Sequence, residues 1–359
     1  MTTKILNQEI KNLKHKIHII ENEIRTIKKR LFDKDLKFVI LKGKEGFADR
    51  LQCLLQAIKY ALATNRILII DWRDEDWSHD DNFPLETYFE LDGVKNMYLS
   101  DFLKLWKDQK NELTVFPIAW KDKIESYSFD TFIDNPIYQL PNQARCIEDI
   151  SCNKMNDFSE NIIVYPGILH RTFDTQYLQC IKISNSIKKR IISFSQKISI
   201  QSNKYDIVHL RGGSKKWMGA KYPENNQISE MHNQWSNENE YIEFIWEKYQ
   251  RNTFSQEKVP LLLISDTYKL ISIWQKKYGF GLRIPNCASK NLSGSGIHQL
   301  RENHITHNKN ISKLEINYEC LRDFILMLNS RNLIGDGVSL YSNVALLAKS
   351  INMKLVNLI

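Results

Sequence analysis

The chain has no Cys-x-x-Cys and no histidine cluster at ligand spacing, and its six cysteines (Cys53, Cys146, Cys152, Cys180, Cys287 and Cys320) are scattered. That spacing supports neither a zinc site nor a disulfide framework, and the cysteines are expected to be reduced thiols. No run of about 18 apolar residues is present to cross a membrane. The N-terminus, Met1-Thr-Thr-Lys, leads into a charged helix rather than an apolar signal segment, so the expectation is a cytoplasmic protein with at most peripheral membrane contact. Neither the Gly-x-Gly-x-x-Gly of dinucleotide enzymes nor the Gly-Lys-Ser/Thr of a P-loop occurs, which removes two common phosphate grips. A formal charge of +8 permits nucleic acid as a partner, but the basic residues are dispersed and carry no DNA- or RNA-binding signature. A polyanionic small molecule or an acidic membrane surface accounts for the charge equally well, and no nucleic-acid partner is expected.

What is present is a globular chain. Its 359 residues, 42% hydrophobic and 11% aromatic, suit two α/β domains with a cleft between them. The first thirty residues stand apart. Ile10, Ile17, Ile24 and Leu31 fall at a positions and Leu6, Leu13, Ile20 and Ile27 at d positions of a heptad seam. Residues 1–34 are therefore expected to be a coiled-coil helix that makes a homo-oligomer through residues 4–31; the alternative is an amphipathic helix lying on its own body. After it, Lys37-Phe-Val-Ile-Leu-Lys reads as a buried strand, Gly43-Lys-Glu-Gly46 as a turn, and Phe47 to Leu62 as a helix. Ile67-Leu-Ile-Ile-Asp71 is the next strand, which completes a doubly wound start. Residues 75–160 are expected to be loops and short helices around a cleft. Ile162 to Gly167 reads as a strand and turn, and a helix is expected from about Gln176 to Ile198. A domain boundary is expected near 201–204, which gives two domains, over 35–200 and 201–359.

The second half alternates again: strands at Ile207–Leu210, Pro260–Ser265, Gly281–Pro285, Asn332–Ile334 and Lys354–Leu358, with helices between them. In open α/β sheets ligands bind beyond the carboxyl ends of the strands, and Arg211, Asp266 and Asp336 fall at such ends. The strongest local signal is Asp206-Ile-Val-His-Leu-Arg-Gly-Gly followed by Ser214-Lys215-Lys216. An arginine fork suits phosphate oxygens, and glycines let the backbone come close to a ligand. Asp266 is open to two readings, as a cap for the following helix or as a ligand contact. Asp336-Gly-Val-Ser339 is likewise either a ligand loop or a turn in which Ser339 caps the last helix.

Three stretches in order resemble the donor-site motifs of the α1,6-type fucosyltransferases, the family of the nodulation and N-glycan core-fucosylating enzymes. They are Val208-His-Leu-Arg-Gly-Gly-Ser-Lys215, Gly294-Ser-Gly-Ile-His298, and Leu321-Arg-Asp323 followed by Gly335-Asp-Gly-Val-Ser-Leu-Tyr-Ser342. Gly46-Phe-Ala-Asp-Arg-Leu and Arg66-Ile-Leu-Ile-Ile-Asp-Trp72 are similar to its first βα unit, so the likeness runs from about 37 to 358. The resemblance implies a GT-B fold of two Rossmann-like domains and inverting transfer from GDP-fucose to a glycan or glycoconjugate, with neither metal nor other cofactor. It implies that Arg211 and Lys215 act in catalysis and that His209 and Arg211 hold the diphosphate. Asp323 would meet the guanine, Ser339 the phosphates and His298 the nucleotide loop, with Gly46, Phe47 and Asp336 also at the donor. Physically, Asp323 could accept from guanine N1 and N2 together, and a cation at Arg211 would meet charge growing on the β-phosphate. The core-fucosylating members carry a second basic residue and a glutamate where this chain has Gly212 and Gly219. The general base is therefore open, with Asp49, Asp74, Glu75 and His170 as candidates. Another nucleotide sugar as donor, or an inactive sugar- or nucleotide-binding scaffold, are the alternatives.

Overall fold

The computed structural model describes residues 9–10, 12–17, 36–43, 46–73, 77, 85–125, 158–167, 174–213, 234–286, 313–351, 355–356 and 358. Two four-stranded parallel sheets organise the chain. The first is built from β1 (Phe38–Gly43), β2 (Ile67–Asp71), β4 (Val115–Phe116) and β5 (Ile162–Gly167), in the order β2-β1-β5-β4. The second joins β7 (Asp206–Leu210), β8 (Leu261–Ser265), β9 (Leu282–Arg283) and β10 (Leu333–Ile334), in the order β10-β7-β8-β9. A short antiparallel pair, β3 (Phe89–Leu91) with β6 (Ile181–Ile183), lies beside the first sheet's elements. The helices are α1 (Phe47–Ala63), α2 (Leu99–Gln109), α3 (Asn185–Lys197), α4 (Glu238–Thr253), α5 (Tyr268–Tyr278), α6 (Lys313–Asn329) and α7 (Leu340–Ser350).

Strand periodicity explains the layers. Successive side chains point to opposite faces, and both faces of a parallel sheet are covered, so the strands read as continuous apolar runs. Phe38, Ile40, Ile69, Ile162 and Val164 turn outward onto Phe102 and Trp106 of α2 and onto Trp120. Their neighbours Val39, Leu41, Leu68, Ile70, Ile163 and Tyr165 turn inward onto α1. The second sheet divides likewise: Val208, Leu210, Leu261 and Leu263 pack on Ile245 of α4 and Trp274 of α5, whereas Ile207, Leu262 and Ile264 face inward. The inward faces share one core, built around α1, α3, α6 and α7. Helices α1 and α6 bury residues on nearly every side because they lie between layers, where a polar stripe would have no water to meet.

Local chemistry sets the boundaries. Asn237 caps α4 by accepting from the N–H groups of Asn239 and Glu240, both at 3.0 Å. Helix α5 ends at Gly279, whose left-handed φ of 73° suits glycine while its N–H donates to Gln275 O. Asp206 ties the second sheet at its amino end, accepting from Arg331 Nε (3.0 Å) and Nη2 (2.7 Å) and from the Asn332 side chain (2.9 Å).

Two expected elements take another form. The region expected to be one helix from Gln176 is a 3-10 turn (Thr175–Cys180), the strand β6 and then α3, because Ile181 and Ile183 pair with Leu91 and Phe89. Leu355, Val356 and Leu358 belong to no strand. Side chains hold their backbone instead: Asn329 Nδ2 donates to Val356 O and Ser202 Oγ to Leu358 O, both at 2.9 Å. Residues 9–10 and 12–17 are helical, with Ile10, Leu13 and Ile17 exposed; the remaining seam positions, and with them the coiled coil, lie outside the described residues. No helix among the described residues is long and apolar enough to cross a membrane. Cys53, Cys180 and Cys320 are free thiols.

Candidate functional site

The carboxyl ends of the second sheet's strands lie side by side, as its parallel order requires. His209 and Arg211 come from the end of β7, Asp266 and Thr267 from β8, Asn286 from the segment after β9, and Asp336 and Ser339 from the loop after β10. Strand alternation puts His209 on the inward face, 3% exposed, where its ring meets the Tyr341 ring edge-on at 5.6 Å. Tyr341 in turn donates through its hydroxyl to Cys320 O on α6, which links the β7 tip to the helix that carries Asp323.

Arg211 leaves the sheet with its backbone N–H donated to Tyr241 Oη at 2.9 Å. Its Nη1 donates to Asp266 Oδ2 at 2.6 Å; Nε and Nη2 donate to no described residue, and the side chain is 18% exposed. The Asp266 carboxylate does more: Oδ1 accepts from Gly212 N at 2.6 Å and Oδ2 from Gly213 N at 2.8 Å. The helix-cap reading of Asp266 is overturned. The residue caps nothing in α5 and binds the Arg-Gly-Gly loop of the neighbouring strand. Position 212 has to be glycine for this approach, since a Cβ there would collide with Thr267 Cγ2.

Asp323 is 3% exposed on α6. Its Oδ1 accepts from Arg322 Nε at 2.9 Å and Nη2 at 2.7 Å, while Oδ2 faces Asn286 Nδ2 at 3.4 Å. Burial pushes its carboxyl above the ordinary value, against the pull of Arg322 and Asn286. Both acceptor directions of Oδ1 are engaged, so the two-oxygen grip on guanine inferred from the sequence is not in place as these side chains stand. Asn286 also donates to Ser265 O at 3.1 Å, which joins this corner to the β8 tip. Asp336 Oδ1 accepts from Val338 N (2.9 Å) and Ser339 N (2.8 Å); both amides lie ahead of Leu340, so these bonds shape the turn that leads into α7 rather than cap the helix. Ser339 itself makes no side-chain capping bond and is 4% exposed.

In the first sheet, Gly46 is the residue before α1, with extended backbone. Phe47 is 6% exposed, and its ring is taken up by packing: Phe324 lies at 5.2 Å, Phe89 at 6.0 Å, Trp77 at 6.3 Å and Tyr341 at 6.5 Å. The donor contact expected of it cannot be made by the ring as it stands. Asp49 is half-buried in the first turn of α1, where a carboxylate suits the helix dipole. Lys215, His298, Asp74, Glu75 and His170 lie outside the described residues.

The carboxyl ends of β1 and β2 hold a buried ion cluster that sequence inspection passed over. Lys42 Nζ donates to Asp71 Oδ2 at 2.9 Å with both side chains fully buried, and Arg73 Nε and Nη2 reach the same carboxylate at 2.8 and 3.0 Å. Burial lowers the Lys42 pKa in spite of Asp71; burial would raise that of Asp71, but Lys42 and Arg73 outweigh it and hold it below the ordinary range. No group of three or more His, Cys, Asp or Glu that could hold a metal occurs among the described residues.

No protein-family model and no curated protein matches the sequence. Solved structures do resemble the fold. The α1,6-fucosyltransferase NodZ soaked with GDP-fucose aligns with a TM-score of 0.54 at 16% identity, over 86% of this chain and 91% of that one. NodZ co-crystallized with GDP aligns at 0.53 and 17% identity, over 87% and 92%, and NodZ from Bradyrhizobium at 0.52 and 16%, over 86% and 92%. At such identity the likeness establishes the fold, the GT-B-like pairing of two parallel sheets.

Proposed function

We propose that the chain is an inverting glycosyltransferase that moves fucose from GDP-fucose to a hydroxyl of a glycan or glycoconjugate. The reading is carried by Arg211, a guanidinium anchored at one nitrogen and open at two, at a strand end of a fold shared with an α1,6-fucosyltransferase soaked with GDP-fucose. As the bond from sugar C1 to the β-phosphate oxygen breaks, negative charge grows on that oxygen. A cation placed there beforehand lowers the barrier, and losing such a contact typically costs about 3 to 4 kcal/mol. The acceptor oxygen bonds to C1 from the opposite face, and its proton passes to a base among Asp49, Asp74, Glu75 and His170. His209 and Ser339 would border the phosphates, and Asp323, through Oδ2, together with Asn286 would border the guanine. Lys215 and His298 keep the roles that the resemblance implies, as phosphate cation and loop residue. Residues 35–200 would serve the acceptor and 201–359 the donor, without a metal and in the cytoplasm.

A homo-oligomer belongs to the same proposal. In a parallel pair of heptad helices a g residue faces the e residue five positions on in the other helix. Glu9 would face the partner's Lys14, Lys16 the partner's Glu21, and Glu23 the partner's Lys28, with opposite charges each time. An antiparallel overlap would pair Lys14 with the partner's Glu21 and Lys16 with the partner's Glu23, so the pattern favours self-association without choosing an orientation.

Calorimetry with GDP, UDP and CMP tests the donor assignment, repeated in EDTA. GDP alone should bind, equally well with chelator, and GDP should then be released from GDP-fucose when a glycan acceptor is present. Binding of UDP or CMP in preference to GDP, or of no nucleotide at all, overturns the reading.

A further inference from the structure

Three donors on one buried carboxylate need a reason. Asp266 is 3% exposed, and its oxygens take Arg211 Nη1, Gly212 N and Gly213 N at 2.6, 2.6 and 2.8 Å. A buried carboxylate is unfavourable unless it is hydrogen-bonded and paired. That requirement alone could be met by the sheet's own backbone or by a helix end, and α5 begins at Tyr268, two residues on, without a side-chain cap from its N-cap residue, Thr267. Asp266 instead reaches across to β7, whose Leu210 is the register partner of Ser265. A second bond ties the same two tips, from Ser265 Oγ to Leu210 O at 2.7 Å.

We infer that Asp266 is a positioning residue: it holds the Arg211-Gly-Gly loop so that Arg211 presents Nε and Nη2 to the anionic ligand. This rests on the function proposed above and deepens it. An arginine on a Gly-Gly loop would otherwise sample many conformations and lose that freedom each time a ligand bound, which weakens binding and misplaces the cation in the transition state. The carboxylate removes that freedom in advance. It also withdraws part of the positive charge, so the arrangement favours geometry over charge. Placing two loop amides on the same carboxylate fixes the backbone from which the guanidinium extends, not only its tip.

The test compares Asp266→Asn, Arg211→Ala and the double variant with the parent protein by calorimetry with GDP and by GDP release from GDP-fucose. Asparagine keeps the shape but sets an NH2 against donors. A displacement of about 1 Å can cost about 100-fold in rate, so Asp266→Asn should lower turnover by about 10- to 100-fold. Because Asp266 acts through Arg211, the double variant should bind GDP no more weakly than Arg211→Ala alone. Additive losses, or unchanged turnover in Asp266→Asn, overturn the inference. Gly212→Ala provides an independent route: its Cβ would strike Thr267 Cγ2 and push the loop from an intact Asp266, while Thr267→Ser in the same chain removes the closest contact, leaves Asp266 Oδ1 and Leu270 Cδ1 at 3.3 and 3.4 Å, and should restore part of the GDP affinity. Failure of that rescue also counts against the inference. If the parent binds no GDP, the proposed function fails by itself. Deuterium exchange at the Gly212 and Gly213 amides still decides the positioning role. They should be protected in the parent and in Arg211→Ala and exposed in Asp266→Asn, and protection in all three refutes it.

Discussion

Phe47→Ala should destabilise the protein by about 3 to 5 kcal/mol, the usual range for deleting a buried phenylalanine. The structure puts the effect in that range because the ring is 6% exposed and has aromatic neighbours from both sheets' layers. Phe89 and Trp77 come from the first sheet's side, and Phe324 and Tyr341 from the second's. Alanine would leave a cavity among these four rings. Phe47→Leu keeps most of the volume and loses mainly the ring pairings, so a smaller loss of about 1 to 2 kcal/mol is expected. Urea unfolding followed by tryptophan fluorescence measures both, with Trp77 beside the substituted ring as a local reporter. GDP affinity of the leucine variant, measured well below its unfolding transition, should stay within about 3-fold of the parent because the ring packs and does not bind. A loss under about 0.5 kcal/mol in Phe47→Ala, combined with a large loss of GDP affinity in Phe47→Leu, would refute the packing role and return Phe47 to the ligand.

Arg211→Ala should abolish transfer, and Arg211→Lys should restore little of it, since lysine can still pair with Asp266 but has no second and third nitrogen for phosphate oxygens; turnover within a few-fold of the parent would remove the arginine from the mechanism. Deleting residues 1–32 should reduce the mass seen by light scattering, and a full-length monomer at micromolar concentration would mean that the heptad seam packs within its own chain. Asp71→Asn should cost about 3 to 5 kcal/mol at pH 7 because it leaves Lys42 buried beside a neutral amide. The Asp71 carboxyl is held below its unfolded value of about 3.9. Its contribution is therefore full above that pH and is lost as pH falls through the folded value. The gap between parent and variant in urea unfolding should narrow from pH 5 downward, and a gap that stays constant into acid would show that the carboxylate is not what stabilises Lys42.

The sheets were legible because buried parallel strands are written as short apolar runs, as in Ile67-Leu-Ile-Ile and Leu261-Leu-Leu-Ile. The alternation of those runs with helical periodicity carried the βα order. Ile181 and Ile183 defeated the same logic, because two isoleucines with one residue between them also fit a helix, and only their partners Phe89 and Leu91, far away in sequence, make them a strand. Leu355, Val356 and Leu358 failed for the opposite reason: they are apolar enough for a strand, but Asn329 and Ser202 take up the carbonyls of Val356 and Leu358. At the site, Arg211 and Asp266 could be placed at adjacent strand ends, yet no local pattern states which carboxylate faces which cation. Tyr241 and Asn286 carried a weaker signal still. One lies 30 residues from the amide it accepts, and the other follows a two-residue strand.

The same contacts account for one of the two departures from the core-fucosylating pattern. Where the core-fucosylating enzymes place a second basic residue after the arginine, this chain has Gly212, whose N–H is given to Asp266 and at which a Cβ would collide with Thr267 Cγ2. The tight seating of the β7 loop on the β8 tip thus leaves no room for a basic side chain at 212. Under the proposed function, charge balance for a diphosphate would fall to the two nitrogens of Arg211 that do not bond Asp266 and to Lys215. The missing glutamate at position 219 has no such explanation from Asp266, because removing a base and removing a phosphate cation act on different bonds. A variant that restores phosphate charge should therefore tighten GDP without raising turnover, and a carboxylate restored at 219 should raise turnover without tightening GDP.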